Sequence, residues 1–247
     1  MRNLIINNEK IQLDNGYFFG RGAFETILIK SHPIFLKEHI DRLNKAIEFL
    51  NIGDTVDIRY IENILDRLNL KNCGLKIVVT EKNIVFQSRP LTYTSGDYLR
   101  GFSLKISEVI RNSTSKINNI KSTNYLENIL EREEAIKKNY DEVIFFNEKG
   151  YLAEGSISNI FIVSSGEIFT PEVEEGILQG TVREYLLGKY HITQRKITRE
   201  DLINADEVFI TNSLLGIMGV SKIEDKIFSN NKVTNKIREE YEAEIDV

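Results

Sequence analysis

Five groups of residues in this chain of 247 could do chemistry. Lys121, in "IKSTNYL", stands ahead of a helical stretch and at the end of an extended one. An amine so placed, and desolvated enough to lose its proton, can form a Schiff base with a carbonyl. Taken alone it reads first as a solvated lysine, since lysines are mostly exposed. Glu154, in "AEGSISN", follows an extended run and enters a glycine-containing turn. It is either a turn carboxylate or a buried one facing a cation such as a protonated ring nitrogen. Gly180-Thr181 opens a helix, where free N–H groups and the positive dipole end suit a phosphate. Thr181 could also be a plain N-cap. Thr211-Asn212-Ser213 follows the strand-like "EVFI" and is a polar turn or a second place for phosphate contacts. Arg42, in "EHIDRL", is a surface partner of Glu38 or Asp41, or a phosphate clamp.

Strands and helices must position these groups. "NLIINNEKIQL" predicts a hairpin, and "FETILIKSHPIFL" a second one turning at Ser31-His32-Pro33. Ile40, Leu43, Ile47 and Leu50 recur with a helical period, and "YIENILDRLNL" repeats the pattern. "LKIVVT" and "NIVFQS" predict paired strands. The polar "RNSTSKINNI" has no period and predicts a connection between two units. After it, Asn124 and Glu127 resemble a capping box, and Leu126, Ile129, Leu130 and Ile136 mark one buried helix face. "DEVIFFNEKGYLAEGSISNIFIVSSGEIFTP" predicts successive antiparallel strands, turning at Glu148-Lys149-Gly150 and Ser164-Ser165-Gly166. Asp141 and Glu142 read as solvated surface. A helix from Gly180-Thr181 and the strands of "DEVFITNSLLGIMGV" complete an α+β chain. The expected division is an N-terminal unit over 1–110, a linker over 111–120 and a C-terminal unit over 121–247 that carries Lys121.

Composition narrows the function classes. Hydrophobic residues are 41% and charged residues 28%, as in ordinary globular proteins. A net charge of -5, with basic residues scattered, argues against a nucleic-acid partner. Cys73 is the single cysteine and the three histidines are far apart, which argues against a disulfide and a zinc site. No apolar run approaches the ~18 residues of a membrane span, and "MRNLIINNEK" has no signal-peptide core. A cytoplasmic protein is expected.

The pieces also occur in a familiar order. "FFGRGAFET", "FLKEHIDRL", "KSTNYLENIL", "DEVIFFNEKGYLAEGSISNIFIV", "GILQGTVRE" and "ITNSLLGIM" together resemble the fold-type IV pyridoxal-phosphate enzymes. These include branched-chain aminotransferases, D-amino-acid aminotransferases and 4-amino-4-deoxychorismate lyases. The resemblance implies a two-domain α+β fold with the cofactor site between the domains, and a homodimer acting on a small molecule. It implies that Lys121 holds pyridoxal 5'-phosphate as an internal aldimine and then shuttles protons. Glu154 would pair with the pyridine nitrogen. Arg42 would bind the phosphate, with Thr181, Asn212 and Ser213 as further contacts and Tyr125 against the ring.

Within the family, "GAFETILI" resembles the lyases, which use a threonine hydroxyl in proton transfer at the position of Thr26. Asn124 follows Lys121 by three residues, the spacing shared by the lyase and D-amino-acid branches. The D-amino-acid enzymes trap a substrate carboxylate with a tyrosine at the position of Phe24 and an arginine-histidine pair after the strand matching "LKIVVT". Neither is present here. Arg111 resembles the lyases' inter-domain arginine and is a candidate for a substrate carboxylate. One departure stands out: the usual "GDG" is "GRG", with Arg21 in place of the acid. The expected activity is 4-amino-4-deoxychorismate lyase, releasing pyruvate and 4-aminobenzoate for folate synthesis. A class IV aminotransferase for branched-chain or D-amino acids is the alternative.

Overall fold

The computed structural model describes residues 2–7 and 10–246. The chain forms two units, Met1–Thr92 with Ile120–Tyr125, and Tyr93–Asn119 with Leu126–Val247. Each mixes helices and sheet, in accord with the α+β expectation.

The first unit runs β1 (Asn3–Ile6), α1 (Asn15–Phe19), β2 (Ala23–Ile29), α2 (Leu36–Leu50), α3 (Ile58–Leu68), β3 (Cys73–Val79) and β4 (Asn83–Pro90). Its sheet has the order β1-β4-β3-β2. Strand alternation gives the sheet two different faces. Ile27, Ile29, Leu75, Ile77 and Val79 are buried against Ile40, Leu43 and Ile47 of α2 and Ile61 and Ile64 of α3. On the other face Phe24 stands opposite Val78, and Thr26 opposite Lys76.

Arg21 finds its explanation here. Its Nε and Nη2 donate to the carbonyls of Leu50 and Asn51, at 2.9 and 3.1 Å. Helix α2 has no basic residue in its own last turn, so Arg21 brings a cation to its negative end.

The first expected N-terminal hairpin is corrected, and the second keeps its turn at Ser31-His32-Pro33 but only the beginning of a return strand. β1 pairs in parallel with β4, and residues 10–13 form no strand. Asn8 and Glu9 of the expected turn lie outside the described residues. After β2 the return is a single bridge, Ile29 to Pro33, because α2 begins three residues beyond Pro33.

The second unit contains α4 (Ser95–Arg100), β5 (Phe102–Ile106), α5 (Leu126–Lys137), β6 (Glu142–Phe146), β7 (Leu152–Gly155), β8 (Asn159–Ser164), β9 (Glu167–Thr170), α6 (Thr181–Lys189), β10 (Ile192–Gln194), α7 (Arg199–Asn204), β11 (Glu207–Asn212), β12 (Gly216–Ile223), β13 (Lys226–Ile227) and α8 (Lys232–Ile245). Its sheet runs β10-β9-β8-β11-β12-β5-β6-β7, with β13 added to β12. β6–β7 and β8–β9 are the expected antiparallel pairs. β7 and β8 do not neighbour each other, since β8 pairs with β11 instead. β8, β11 and β12 are almost wholly buried, consistent with their apolar runs.

The division of the chain also differs from expectation. β5 pairs with β6 and β12, so the second unit starts at Tyr93. Ser122 bridges Ala23, and Phe24 N–H donates to the Lys121 carbonyl at 2.9 Å. Lys121 thus belongs with the first unit, not the second. The helix face expected on α5 is likewise reversed. Leu126, Ile129, Leu130 and Ile136 are exposed, by 67, 46, 53 and 47%. Asn128 and Ala135 face inward. Asn128 sets that phase, accepting from Arg111 at 3.1 Å and donating to the Ser156 carbonyl at 2.7 Å. The small Ala135 packs on Val143 and Phe145. Asn124 does not cap α5, for its Nδ2 donates to the Gly20 carbonyl at 2.9 Å.

Candidate active site

In the first unit, Lys121 lies on extended backbone beside β2. Thr123 holds this stretch, donating from Oγ1 to the Gly20 carbonyl at 2.6 Å and from its N–H to the Gly22 carbonyl at 2.8 Å. Gly20 has φ +64°, a conformation that favours glycine and lets the chain turn tightly there. The Lys121 amine sits 4.5 Å from the centroid of the Phe24 ring and 5.4 Å from that of Tyr125. Those two rings meet edge to face at 5.3 Å. Lys121 and Tyr125 are thus brought together, with Thr26 two residues along β2 from Phe24.

Behind β2, Glu25 is fully buried. Arg42 grips it with two nitrogens, Nε and Nη2, each at 2.7 Å. His39 Nδ1 approaches the same carboxylate at 2.7 Å. Burial raises the Glu25 carboxyl, but Arg42 and then His39 outweigh it and hold it at about 2. Burial pulls His39 below its usual value, so the neutral ring donates its Nδ1–H to Glu25. Arg42 is therefore fixed by Glu25, a partner missed by the reading that paired it with Glu38 or Asp41.

In the second unit, Glu154 lies within β7 rather than in the turn after it, and is buried. Its Oε2 accepts from Leu178 N–H at 2.9 Å and Asn159 Nδ2 at 3.3 Å. Asn159 also donates to the Leu178 carbonyl at 2.7 Å, tying β8 to the segment before α6. Glu142 holds the turn that follows Glu154. It is fully buried, not surface, and accepts from the Ser156 hydroxyl, from Ser158 Oγ at 3.2 Å and from Ile157 N–H at 3.3 Å. Burial raises its carboxyl.

The predicted helix start is in place. α6 has Gly180 as N-cap, with no side chain capping it. A Cβ on Gly180 would collide with Asn159 Oδ1, so glycine is required where the chain approaches the Glu154 group. Thr181 Oγ1 and Ser213 Oγ lie 3.2 Å apart. Asn212 serves the turn, its Oδ1 accepting from Leu214 and Leu215 N–H, each at 2.9 Å. Thr211 Oγ1 is buried with no hydrogen-bond partner among the described residues.

Arg111 is buried, not a solvated linker residue. Its guanidinium lies 4.2 Å from the Phe145 ring centroid, and its Nε and Nη2 have no hydrogen-bond partner among the described residues. Sequence reasoning also missed Lys76, whose amine lies 4.6 Å from the Phe24 ring centroid. A lysine within the apolar run "LKIVVT" was the available signal. Among the described residues, no helix is long and apolar enough to cross a membrane.

Taken separately, each unit carries groups of the kinds that a phosphorylated aldehyde cofactor with a ring nitrogen needs. One unit offers an amine beside aromatic rings and an arginine on a fixed helix. The other offers a buried carboxylate and an uncapped helix start flanked by two hydroxyls.

Comparison with known proteins agrees. The amino-transferase class IV family model matches residues 22–223. The chain is 30% identical to the aminodeoxychorismate lyase of Bacillus subtilis, covering 94% of this chain and 88% of that protein. It is also 30% identical to a provisionally named branched-chain-amino-acid aminotransferase of Methanocaldococcus jannaschii, over 92% of this chain and 88% of the other. A Legionella pneumophila structure, provisionally named 4-amino-4-deoxychorismate lyase, superimposes with a TM-score of 0.86 at 26% identity, covering 95% of this chain and 96% of that one. Proteins of this kind depend on pyridoxal 5'-phosphate. The chain belongs to the amino-transferase class IV family and has its two-sheet, fold-type IV architecture.

Proposed function

We propose that the protein is a cytoplasmic 4-amino-4-deoxychorismate lyase. The observation that carries this reading is the β2 stretch Phe24-Glu25-Thr26. It sets a hydroxyl two residues from the ring that touches the Lys121 amine, and its own ring lacks a hydroxyl. When bound, pyridoxal phosphate supplies an electron sink for a carbanion beside the substrate nitrogen. In this reading Lys121 holds the cofactor, and Tyr125 and Phe24 flank the amine. Glu154, fixed by Asn159 and Leu178, holds a proton at the ring nitrogen. Arg42, Thr181, Asn212 and Ser213 orient the phosphate. The two unpartnered nitrogens of Arg111 support a contact with a substrate carboxylate.

The chemistry follows from these placements. The Lys121 amine takes the proton from the ring carbon that bears the substrate nitrogen, assisted by the Thr26 hydroxyl. The enolpyruvyl C–O bond breaks with the electron pair leaving on oxygen. A proton added to the methylene carbon gives pyruvate, and the ring is left aromatic as 4-aminobenzoate. Aromatisation supplies much of the driving force.

The equally identical relative named as an aminotransferase supports a second reading, class IV transamination of branched-chain or D-amino acids. The test is a pair of assays on wild type and Lys121→Ala. Release of 4-aminobenzoate from aminodeoxychorismate by wild type alone, with loss of the visible cofactor band in the variant, is the expected result. Conversion of the cofactor to its amine form by an amino acid, reversed by a 2-oxo acid and without lyase turnover, would establish the second reading instead.

A further inference from the structure

The largest fully buried side chain among the described residues is a charged one, Arg183, in the first turn of α6. A guanidinium is costly to remove from water, and an apolar side chain of similar size often serves a core as well or better. Its direct ion partner offsets little of that cost. Glu184 Oε1 lies 2.6 Å from Nη1, but the Glu184 side chain is half exposed. Nη2 donates to the Pro171 carbonyl at 3.1 Å and to Gln194 Oε1 at 2.7 Å. Nε has no hydrogen-bond partner among the described residues. Packing and one exposed pair do not account for a cation at this place.

Its bonds lead toward Glu154. Pro171 opens the connection from β9 to α6, and Leu178 lies near the far end of it. Leu178 N–H donates to Glu154 Oε2 at 2.9 Å. The Leu178 carbonyl accepts from Asn159, which also donates to Glu154. Arg183 thus fastens one end of the connection and Asn159 the other. The two residues come close at Gly180. A Cβ there would stand 3.7 Å from Arg183 Cβ and would collide with Asn159 Oδ1. The guanidinium also feels Glu154 through space. Burial weakens its hold on its proton, while Glu184, then Glu154 and Glu174, act the other way. Of these three carboxylates only Glu154 is buried, and buried charges are little screened.

We propose that Arg183 is a positioning residue for Glu154: it fixes the connection that brings the Leu178 donor, and it gives the carboxylate a buried counter-charge. This rests on the reading in which Glu154 meets the cofactor's ring nitrogen, and it holds for a lyase or an aminotransferase alike. Arg183 acts through Glu154 and is not itself a catalytic residue.

The test compares pyridoxal phosphate with its 1-deaza analogue, which has a C–H in place of the ring nitrogen. Each is titrated into the full chain freed of cofactor, and the dissociation constant is read from the absorbance of the bound compound. Wild type should prefer pyridoxal phosphate, and Glu154→Gln should abolish the preference. Arg183→Gln should cut it about 10-fold, the lower end for one charged hydrogen bond, with little change for the analogue. Arg183→Lys should recover most of it. A merely structural arginine would weaken both compounds alike, and that result overturns the proposal. Should Arg183→Gln not fold, Gln194→Leu decides. It keeps the buried charge, frees Nη2 from β10 and should lower the preference in the same direction. An unchanged preference in the variant that decides overturns the proposal. A wild type that binds both compounds equally overturns the reading of Glu154, and the proposal with it. If Glu154→Gln abolishes the preference and folded Arg183→Gln keeps it, only the role of Arg183 falls. Release of 4-aminobenzoate by the same wild type decides the lyase reading separately.

Discussion

The residue with the largest electrostatic consequence in the first unit is Glu25. Its carboxyl sits at about 2 in the folded chain against an ordinary 4.5, so on acidification the unfolded chain takes up the proton first. The stabilisation is complete above 4.5 and is gone by about 2. His39 acts in the same direction, since burial lowers its proton affinity and acid below its usual 6.5 favours the unfolded chain. Glu25→Gln leaves the Arg42 guanidinium without its counter-charge. It should cost about 3–5 kcal/mol in urea unfolding at neutral pH, the range for a broken buried pair. The wild-type and variant stabilities should converge as pH falls toward 2; curves that stay parallel would contradict the ion pair. At Thr26 the consequence is kinetic. Thr26→Ala should slow 4-aminobenzoate release by about 10²–10⁴ while the cofactor band is unchanged.

At the scale of elements, α2 depends on a cation borrowed from the turn after α1. Arg21→Ala removes both bonds to the helix end and should lower stability by about 0.5–1 kcal/mol in thermal unfolding. Arg21→Asp, which restores the family's usual acid, should be worse than alanine, because it sets a negative charge at a negative helix end. Much of the architecture was legible because it is local. The stripe of Ile40, Leu43 and Ile47 predicts α2, and Gly180-Thr181 predicts the start of α6. The order of motifs around Lys121 and Glu154 indicates the family. What stayed hidden depends on partners distant in sequence. The place of Lys76 beside Thr26 is a matter of strand register. The use of Arg21 requires Leu50, 29 residues on. The phase of α5 is set by Asn128 holding Arg111 and the Ser156 carbonyl, which outweighs its more apolar face.

For the whole molecule, that reversed α5 face bears on the homodimer that the family resemblance leads one to expect. Leu126, Ile129 and Leu130 form an exposed apolar stripe, and Tyr17, Phe18 and Phe19 are exposed by 63, 59 and 74%. Leu130→Glu should shift sedimentation from dimer toward monomer; a dimer unaffected by it would remove α5 from the interface. The division of the chain has a consequence for inheritance. The backbone leaves the first unit after Thr92, returns only for Ile120–Tyr125, and leaves again. A gene broken anywhere in 93–119 would encode a first fragment deprived of its amine and a second fragment carrying it as a stray strand. Such halves could regain chemistry only by reassembling around that six-residue graft. The two units are therefore expected to be inherited together, since a cut in the connecting segment parts Lys121 from the unit that seats it.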